Sequence, residues 1–467
     1  MTTTESTAGE GLSDLRERMR GPVLAAGDPG YDQARAVWNA RFEGRPAAVA
    51  RCAGTADVIA AVNFVRAREF PFAVKSGGHD FSGNSMCDGG LVIDLSGMQG
   101  VRVDPRTRRA WVQPGVRMGA LDHESQAFAL ATTGGTVSTV GVAGFLLGGG
   151  TGHLSRRLGI GADNVRSVDL VTADGELVRA SDDENGDLFW AVRGGGGNFG
   201  VVTSFELALH PVGPTVEAGQ ILYPLERAGE VLRAYRDFMA AAPDHVQCYA
   251  AFMRLPAVPD FAATFHGRVV LALVVVDIDP PSDGGDVFGP RRRHGEPILE
   301  AIAPQPYLAA QQMFDPGMPA GHRWCSRAHC LPELGDGVIE TILARIESLP
   351  GELSMAYLEP YGGAIARIGP SATAFPHRDA AYSVHLMAGW SDPADDDEVL
   401  AWCRSFHEAL APEATGGVYV NLLSREEEGR VVAAYAGNHE RLRQLKLRFD
   451  PGNLFRSNHN IEPASTT

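Results

Sequence analysis

The stretch VKSGGHDFSGNS, residues 74–85, places one imidazole in a loop of mainly small residues. An apolar run leads into Lys75, two glycines follow, and His79 comes directly after them. Glycine and serine allow a large ligand to lie close to the backbone. His79 would then be the most reactive side chain facing that ligand. The segment therefore predicts a binding loop that carries one chemically active group.

Two further loops are rich in glycine: VGVAGFLLGGGTGHLSRRLG (140–159) and AVRGGGGNFG (191–200). Successive backbone N–H groups in such loops bind anions such as a pyrophosphate. Gly148, Gly150 and His153 fall one glycine short of a GxGxxG fingerprint, which belongs at the first strand-to-helix turn of a βαβ unit. No loop ends in the Gly-Lys-Ser/Thr of a P-loop. Tight turns alone would explain one such loop but not three.

The composition excludes several classes of protein. A chain of 467 residues with 44% hydrophobic and 21% charged residues is typical of a globular protein with two domains. A formal net charge of −16 argues against nucleic acids and anionic membranes as partners. Six scattered cysteines, without a secretory signal or a membrane-spanning run, predict a reducing, cytoplasmic location. The oligomeric state cannot be deduced from the sequence.

The pattern of apolar residues predicts a mixed α+β region up to about residue 212. Residues 55–70 predict a helix capped by Thr55, and PFAVKS, LVIDLS and RAWVQP predict strands. The Asp174-Gly175 pair predicts a hairpin turn. Alternation in VVTSFELAL predicts a strand with one face formed by Val201, Thr203, Phe205, Leu207 and Leu209.

After residue 212 longer helices alternate with strands. VIETILARIESLP and DDDEVLAWCRSFHEAL predict helices, whereas VVLALVVVDI and YSVHLMAGW predict strands. DIDPPSDGGD (277–286) predicts a surface loop, and RRRH (291–294) a solvated run.

Three segments in order carry a family resemblance: VKSGGHDFSG, TVGVAGFLLGGGTGHLSRRLGIGADNV and DLFWAVRGGGGNFGVVTSFEL. They resemble the FAD-linked oxidases of the berberine bridge enzyme-like group, which are vanillyl-alcohol oxidase-type flavoproteins with a PCMH-type FAD-binding fold. YVN (419–421) and KLRFDPGNLFRSNHNI (446–461) are similar to the C-terminal segment of that family. The middle of the chain matches more loosely, through EPYGG, FPHR and YSVHLMAGW.

The resemblance implies an α+β fold with two domains. Residues 1–40 would form an N-terminal tail and helix, and 41–212 the FAD-binding domain. Residues 213–418 would form a substrate domain, with an antiparallel sheet covering the flavin and with helices. Residues 419–467 would complete the FAD-binding domain.

The resemblance also implies a set of cofactor contacts. FAD would lie among Lys75, Ser76, Gly77, Gly78, Asp80, Ser82, Gly83, Val137, Thr139, Val140, Gly141, Gly144, Gly149, Gly150, His153, Val202, Asn458 and Asn460. His79 would be joined covalently to a methyl carbon on the benzenoid ring of the flavin. That bond requires a neutral imidazole nitrogen as nucleophile.

Three positions bear on the state of the flavin. Many relatives carry a second link from a cysteine in a segment resembling C-P-T-V-G, but this chain reads VSTVG with Val137 in that place, so a single link is expected. Phe145 stands where many relatives have histidine. Val140 stands where the family is thought to control oxygen access, and its small side chain favours an oxidase.

Tyr419 and Asn421 are candidates for the catalytic proton transfer. They are two residues apart in an apparent strand, so their side chains are expected to share a face. In relatives this tyrosine points at the substrate. An unperturbed tyrosine titrates near about 10, so it acts as a base only where its surroundings lower the pKa. A buried tyrosine satisfied by a backbone carbonyl is the alternative.

A second candidate base lies in YSVHLMAGW, where alternation places Ser383, His385 and Met387 on one face. His385 is a base or a hydrogen-bond donor to the substrate. Tyr357, Glu359 and Tyr361 share a face of SMAYLEPYGG and are expected to line the same pocket. Solvated strand residues are the alternative.

HRWCSRAHC (322–330) lacks the paired spacing of a structural zinc site, so no metal is predicted. The sequence predicts an FAD-dependent oxidase that takes a hydride from an alcohol, sugar, amine or secondary metabolite and reduces O2 to H2O2. A flavin monooxygenase, a ring-rearranging enzyme and a dehydrogenase with another acceptor are alternatives. Tyr419 and His385 argue against a non-catalytic flavin carrier.

Overall fold

The computed structural model describes residues 4–259, 261–280 and 296–465. Most of the predicted loop 277–286 and all of the run 291–294 lie outside these ranges. Within residues 1–40, where a tail and a helix are expected, the first helix begins at Thr4. Among the described residues, no helix is both long and apolar enough to cross a bilayer.

The helices are α1 (Thr4–Arg18), α2 (Tyr31–Arg35), α3 (Thr55–Arg68), α4 (Met118–Gln126), α5 (Val142–Leu147), α6 (Ser155–Leu158), α7 (Gly186–Val192), α8 (Ala228–Ala241), α9 (Tyr307–Gln311), α10 (Asp336–Ile346), α11 (Ala364–Arg367), α12 (Asp396–Leu410), α13 (Val431–Tyr435) and α14 (His439–Phe449). The strands are β1 (Val23–Ala25), β2 (Ala48–Arg51), β3 (Phe72–Lys75), β4 (Leu91–Asp94), β5 (Val101–Asp104), β6 (Arg109–Val112), β7 (Leu130–Ala131), β8 (Val165–Val171), β9 (Leu177–Ser181), β10 (Val201–Ala208), β11 (His210–Pro211), β12 (Thr215–Pro224), β13 (Val246–Arg254), β14 (Val269–Asp277), β15 (Leu299–Pro306), β16 (Arg323–Leu331), β17 (Met355–Pro360) and β18 (Tyr382–Trp390).

The first sheet has the order β1-β2-β4-β3, and its last three strands are parallel. Helix α3 packs Val58, Val62 and Val65 against it in one core cluster. The expected cap at Thr55 is wrong, because Gly54 is the capping residue and Thr55 the first residue of the helix. The loop that contains His79 follows β3.

The second sheet is antiparallel, with the order β5-β6-β10-β8-β9. Its central strand β10 buries the predicted face that includes Phe205 and Leu207. The predicted hairpin at Asp174-Gly175 is confirmed, because it joins the antiparallel strands β8 and β9. The second glycine loop contains α5 and α6 and comes before β8 in the sequence. The third glycine loop begins at the end of α7 and leads into β10.

The third sheet is antiparallel and seven-stranded, with the order β15-β12-β14-β13-β17-β18-β16. Helices α8, α10 and α12 share a core cluster with one of its faces, to which Val384 and Leu386 contribute. His385 and Met387 point to the opposite face, as the alternation predicts. The sheet therefore presents a helix-covered face and a face directed at the glycine loops.

The C-terminal segment returns to the first part of the chain. Lys446 is fully buried, and its ammonium donates to the carbonyls of Asn198 and Phe455 and to Asp450 at 2.7–2.8 Å. Phe455 packs edge-on against Phe72 of β3, with ring centroids 5.8 Å apart. These contacts hold the residues after α14 beside the third glycine loop.

Candidate active site

A cavity lies where the three glycine loops meet the seven-stranded sheet and the C-terminal segment. The predicted site residues that line it are Ser76, Gly77, Gly78, His79, Asp80, Val137, Val140, Gly141, Gly144, Val202, Tyr357, Glu359, His385, Tyr419, Asn421 and Asn458. Residues of the three glycine loops, the seven-stranded sheet and the C-terminal segment therefore converge on one site.

The first two glycine loops touch each other directly. A Cβ atom on Gly77 would lie 2.5 Å from the backbone nitrogen of Gly141, so any side chain there would separate the loops. Gly78 has φ +68°, which favours glycine. The backbone N–H groups of residues 77–80 donate to no described acceptor, so they are available to an anionic ligand.

His79 sits in the wall of the cavity with a defined orientation. Its imidazole stacks on Trp38, with ring centroids 4.4 Å apart, and Nε2 lies 2.8 Å from Thr139 Oγ1. Burial, with a smaller effect from Arg117, lowers the pKa of His79 to about 3. The ring is therefore neutral near pH 7, and Nδ1 is left without a described partner.

The residues present fit a bound FAD. A Cβ atom on Gly144 would meet no atom within 4 Å, so open space lies beside this glycine. The side-chain oxygens of Asn458 and Asn460 and Nδ1 of His459 are buried without a described hydrogen-bond partner. Buried polar atoms rarely remain unpaired. A ligand with many polar groups, extended between the first loop and the C-terminal segment, would satisfy those of Asn458 and His459, which line the cavity.

Three apolar side chains surround the region next to His79. Val137 and Phe145 are buried, whereas Val140 is half-buried, and all three line the cavity. The Phe145 ring occupies the space beside Gly150, where a Cβ atom would lie 2.4 Å from it. The side chains at positions 137 and 145 of the cavity wall are therefore apolar, and neither is a thiol or a hydrogen-bonding group.

Tyr419 and Asn421 meet in the cavity, but they do not lie in a strand. Val420–Leu422 forms a 3₁₀ turn, closed by a hydrogen bond from Leu422 N–H to the Tyr419 carbonyl. The expected strand is wrong because this segment pairs with no neighbouring strand. The Asn421 amide donates to Tyr419 Oη at 2.7 Å, and Gly150 N–H donates to the same oxygen at 2.9 Å.

Those two donors stabilise a phenolate, but burial has the larger effect and raises the pKa of Tyr419. A tyrosine base would need a lowered pKa. Tyr419 is therefore protonated near neutral pH and is suited to donating a hydrogen bond.

Glu359 and His385 form a buried pair, with Oε2 and Nε2 3.3 Å apart. Thr151 Oγ1 donates to Glu359 Oε2 at 3.0 Å. The Tyr357 ring stacks on His385 at a centroid distance of 4.3 Å. Neither nitrogen of His385 makes a well-directed hydrogen bond among the described residues. The pair can accept a proton and can bind a polar group of a ligand.

Several predicted cofactor residues do not line the cavity. The ammonium of Lys75 donates to the Ala34 carbonyl and lies 3.6 Å from Asp94 on the adjacent strand, so these groups and not the cavity engage it. Ser82 donates to Asp80 at 2.7 Å within the loop. A Cβ on Gly83 would lie 2.5 Å from the Phe42 ring, so this glycine serves packing.

Predicted cofactor residues of the second glycine loop also make contacts within the protein. Gly149 packs against Phe375, where a Cβ atom would approach within 2.7 Å, and Gly150 holds Tyr419. Thr139 contacts His79 and not the cavity. His153 is buried, and its ring stacks on Phe314 with centroids 6.0 Å apart.

Two more predicted residues do not line the cavity. One is Asn460, although its side-chain oxygen is unpaired. The other is Tyr361, which is fully buried in the core cluster that also contains Tyr419 and Met387. The carbonyl of Tyr361 accepts a hydrogen bond from Arg156 at 2.7 Å.

Some residues of the site were missed in the sequence. Trp38 orients His79, and Tyr249, Met318 and Thr151 line the substrate side of the cavity. Tyr249 lies in β13, where residues 246–252 are all buried, so no alternation in burial marks it. Trp38 and Met318 lie in irregular segments with no periodic signal.

In the described part of the chain, no group of three or more histidine, cysteine or carboxylate side chains is placed to hold a metal ion. His322 precedes β16, whereas Cys325, His329 and Cys330 lie along it, and His329 Nε2 bonds to the His407 carbonyl at 3.0 Å.

Comparison with known proteins connects these features to two family models. An FAD binding domain matches residues 46–181, and a berberine and berberine-like segment matches residues 418–462. These ranges contain the first two glycine loops and the C-terminal segment.

Similar proteins match along nearly the whole chain. An FAD-linked oxidoreductase of Dictyostelium discoideum is 30% identical, over 97% of each chain. The (R)-6-hydroxynicotine oxidase of Paenarthrobacter nicotinovorans is 31% identical, over 95% of this chain and 97% of its own. The structure of xylooligosaccharide oxidase from Myceliophthora thermophila C1 in complex with xylobiose superposes with a TM-score of 0.83 at 26% identity, covering 98% of this chain and 100% of the other.

Proposed function

Because this chain belongs to the berberine bridge enzyme-like FAD-linked oxidoreductases, with their vanillyl-alcohol oxidase-type fold, we propose that it is an oxidase whose FAD is bound covalently through His79 alone. It removes a hydride from an alcohol, sugar, amine or secondary metabolite and passes the electrons to O2, giving H2O2. Relatives are named for hydroxynicotine and for xylooligosaccharide. The observation that carries the proposal is the neutral, oriented imidazole of His79 in the cavity wall.

The attachment uses Nδ1 of His79. Nε2 lies 2.8 Å from Thr139 Oγ1, and in the tautomer in which Nε2–H donates to that hydroxyl, the lone pair of Nδ1 is free to act as the nucleophile. FAD held at this loop would supply the ring methyl carbon for the bond to Nδ1. One hydrogen would leave from the methyl C–H and one from the imidazole N–H, and O2 would take them with the two electrons as H2O2. Val137 provides no second nucleophile, which supports a single link.

FAD supplies the two-electron acceptor for the substrate reaction. His385 takes the proton from the donor group of the substrate, and Glu359 stabilises the imidazolium. Tyr419 donates a hydrogen bond to the same group, and Asn421 fixes its hydroxyl. His385 is the better base, since the pKa of Tyr419 is raised. General-base catalysis of this kind contributes about 10²- to 10⁴-fold.

The half-buried Val140 supports O2 as the electron acceptor, since its small side chain leaves room beside the predicted flavin position. A dehydrogenase with another acceptor, a monooxygenase and a ring-rearranging enzyme are the alternatives. H2O2 formed in a 1:1 ratio with oxidised substrate would support the oxidase. Substrate oxidation in aerated buffer without H2O2 would contradict it.

The positions of the loops, the sheets and the C-terminal segment support the division of the chain into residues 1–40, 41–212, 213–418 and 419–467. The glycine loops belong to the second part, the seven-stranded sheet to the third, and the residues held by Lys446 to the fourth. We assign FAD binding to the second and fourth parts and substrate binding mainly to the third.

The covalent link has a direct test. Wild-type protein should remain yellow after denaturation and removal of small molecules, whereas His79→Ala should lose the colour. Release of all colour from the denatured wild type would contradict the link.

A further inference from the structure

One short segment, residues 314–318, contacts the group on which the imidazole of His79 stacks. The segment follows α9, precedes β16 and includes a 3₁₀ helix at Asp315–Gly317. The carbonyl of Met318 accepts a hydrogen bond from the indole N–H of Trp38 at 3.1 Å. Trp38 and His79 are stacked with ring centroids 4.4 Å apart. A segment of the part assigned to substrate binding therefore helps to set the plane of the His79 ring.

The same segment holds the residues just before the second glycine loop through a carboxylate. The two oxygens of Asp315 accept hydrogen bonds from the backbone N–H and the hydroxyl of Ser138, at 2.8 and 2.5 Å. Hydrogen bonds to a carboxylate are shorter and stronger than those between neutral groups. Because both bonds end on one residue, they fix the backbone of Ser138 as well as its hydroxyl.

Helix α4 holds these residues through its own backbone. The N–H groups of Gly119 and Met118 donate to the carbonyls of Ser138 and Val140 respectively, each at 2.9 Å. A Cβ atom on Gly119 would lie 3.1 Å from the Cβ of Ser138, so the helix and the segment are in close contact. Thr139 lies between two anchored residues, and its position depends on theirs.

The position of Thr139 decides whether its hydroxyl contacts His79. That oxygen lies 2.8 Å from His79 Nε2, and a separation of about 3.6 Å would no longer be a hydrogen bond. A shift of Thr139 by about 1 Å away from the ring would therefore break the contact. Asp315 restrains the segment against such a shift through its two bonds to Ser138.

We propose that Asp315 is a positioning residue for the covalent attachment of FAD, and that it acts by holding Ser138 so that the hydroxyl of Thr139 stays against His79. This inference rests on the proposed function, in which His79 carries the FAD. Asp315 gains and loses no atom or electron during attachment, so the balance of that step is unchanged. Attachment then depends on a residue of 213–418 as well as on the loops that surround the cofactor.

The first test measures the rate of attachment at several FAD concentrations. Full-length apoprotein from cells starved of riboflavin is mixed with FAD, and the flavin that remains with the denatured chain is measured over time. Asp315→Ala removes both acceptors of Ser138 and should lower the rate at saturating FAD. The FAD concentration that gives half of the maximal rate should not change, because Asp315 does not line the cavity.

The slowing has an upper limit, since Asp315 acts through Thr139. It should not exceed the effect of removing the Thr139 hydroxyl, which is about two- to thirteen-fold. Asp336→Ala is the matched control, because it removes a carboxylate on α10 that accepts hydrogen bonds from Arg233 and Arg236, each at 3.1 Å. That variant should attach FAD at the wild-type rate. If Asp315→Ala raised the half-maximal FAD concentration and left the saturating rate unchanged, the proposal would be overturned.

The second test determines whether Asp315 acts through Thr139. In a chain that already carries Thr139→Val, Asp315→Ala should cause no further slowing. Equal slowing with and without Thr139→Val would overturn the proposal, because Asp315 would then act by another route. Ser138→Ala removes the hydroxyl bond to Asp315 and should slow attachment in the wild-type chain but not in Thr139→Val. A wild-type rate for Ser138→Ala would overturn the proposal even if Asp315→Ala did not fold.

The outcome for wild type separates this proposal from the proposed function. A wild-type chain that retains no flavin after denaturation contradicts the covalent link, and the role of Asp315 is overturned with it. A wild-type chain that retains flavin, together with an equal saturating rate for Asp315→Ala, overturns the role of Asp315 alone and leaves the oxidase function standing.

Discussion

Replacing Thr139 with valine should slow the covalent attachment of FAD. The change removes only the hydroxyl that lies 2.8 Å from His79 Nε2 and keeps the branched shape of the side chain. Stacking on Trp38 fixes the plane of the imidazole, and the hydroxyl, by accepting from Nε2–H in the proposed tautomer, would keep the lone pair on Nδ1. Without it, part of the His79 population would hold its proton on Nδ1 and could not attack.

The expected magnitude is that of one neutral hydrogen bond. A contribution of about 0.5–1.5 kcal/mol corresponds to an attachment rate slower by about two- to thirteen-fold. The assay mixes apoprotein with FAD, denatures samples at intervals and measures the flavin that remains with the polypeptide. Thr139→Ser keeps the hydroxyl and should attach FAD at close to the wild-type rate. Equal rates for wild type, Thr139→Val and Thr139→Ser would refute the assigned role of Thr139.

Further predictions concern pH and stability. Because the pKa of His79 is about 3, the rate of attachment should be nearly constant from about pH 5 to 8, whereas an ordinary histidine of pKa about 6.5 would lose about ten-fold by pH 5.5; a loss of that size would contradict the lowered pKa. Lys446→Met leaves the buried Asp450 without its counter-charge and should lower the free energy of unfolding by about 3–5 kcal/mol in urea titrations. Arg443→Met, which breaks a more exposed pair, should cost at most about 1 kcal/mol, and similar costs for both would argue against the anchoring role of Lys446. Burial raises the pKa of Asp122 to about 7, so the folded state keeps a proton that the unfolded state releases near pH 4. The contribution of Asp122 to the free energy of unfolding is complete below about pH 4 and is lost as the pH rises to about 7. The free energy of unfolding of Asp122→Asn should therefore rise progressively relative to that of wild type over this range. A difference that stays constant with pH would contradict the raised pKa.

Local patterns in the sequence identify the loops and the sheet face of the site. Glycine density selects the loop around His79, and the period of two in β18 places His385 and Met387 on the cavity side. These predictions succeed because each depends on neighbouring residues alone. The order of the motifs extends the predictions to residues of the first loop and to Asn458, which line the same cavity.

The remaining site residues could not be predicted from the sequence, because their contacts are made with segments far away in the chain. Lys75 follows an apolar strand into the glycine loop, but its orientation is set by Asp94, which lies opposite it in the register of β3 and β4. Gly83 and Gly149 serve the rings of Phe42 and Phe375, far away in the chain. A glycine required by a protein ring cannot be distinguished in sequence from one required by a ligand.

Local sequence patterns also do not indicate the order of the strands in a sheet or the type of a turn. Tyr249 reaches the cavity because β13 lies beside β17 in the seven-stranded sheet, an order that no local pattern records. Tyr419 and Asn421 share a spacing of two residues, which fits a strand, yet they come together on a 3₁₀ turn.

The mass of the denatured polypeptide tests the covalent bond to His79 most directly. Wild-type protein purified with its cofactor should be heavier than the bare chain by one FAD less two hydrogen atoms, and a peptide map should place the addition on His79. His79→Ala should show the bare mass. A wild-type chain at the bare mass, or an addition that persists in His79→Ala, would contradict the account.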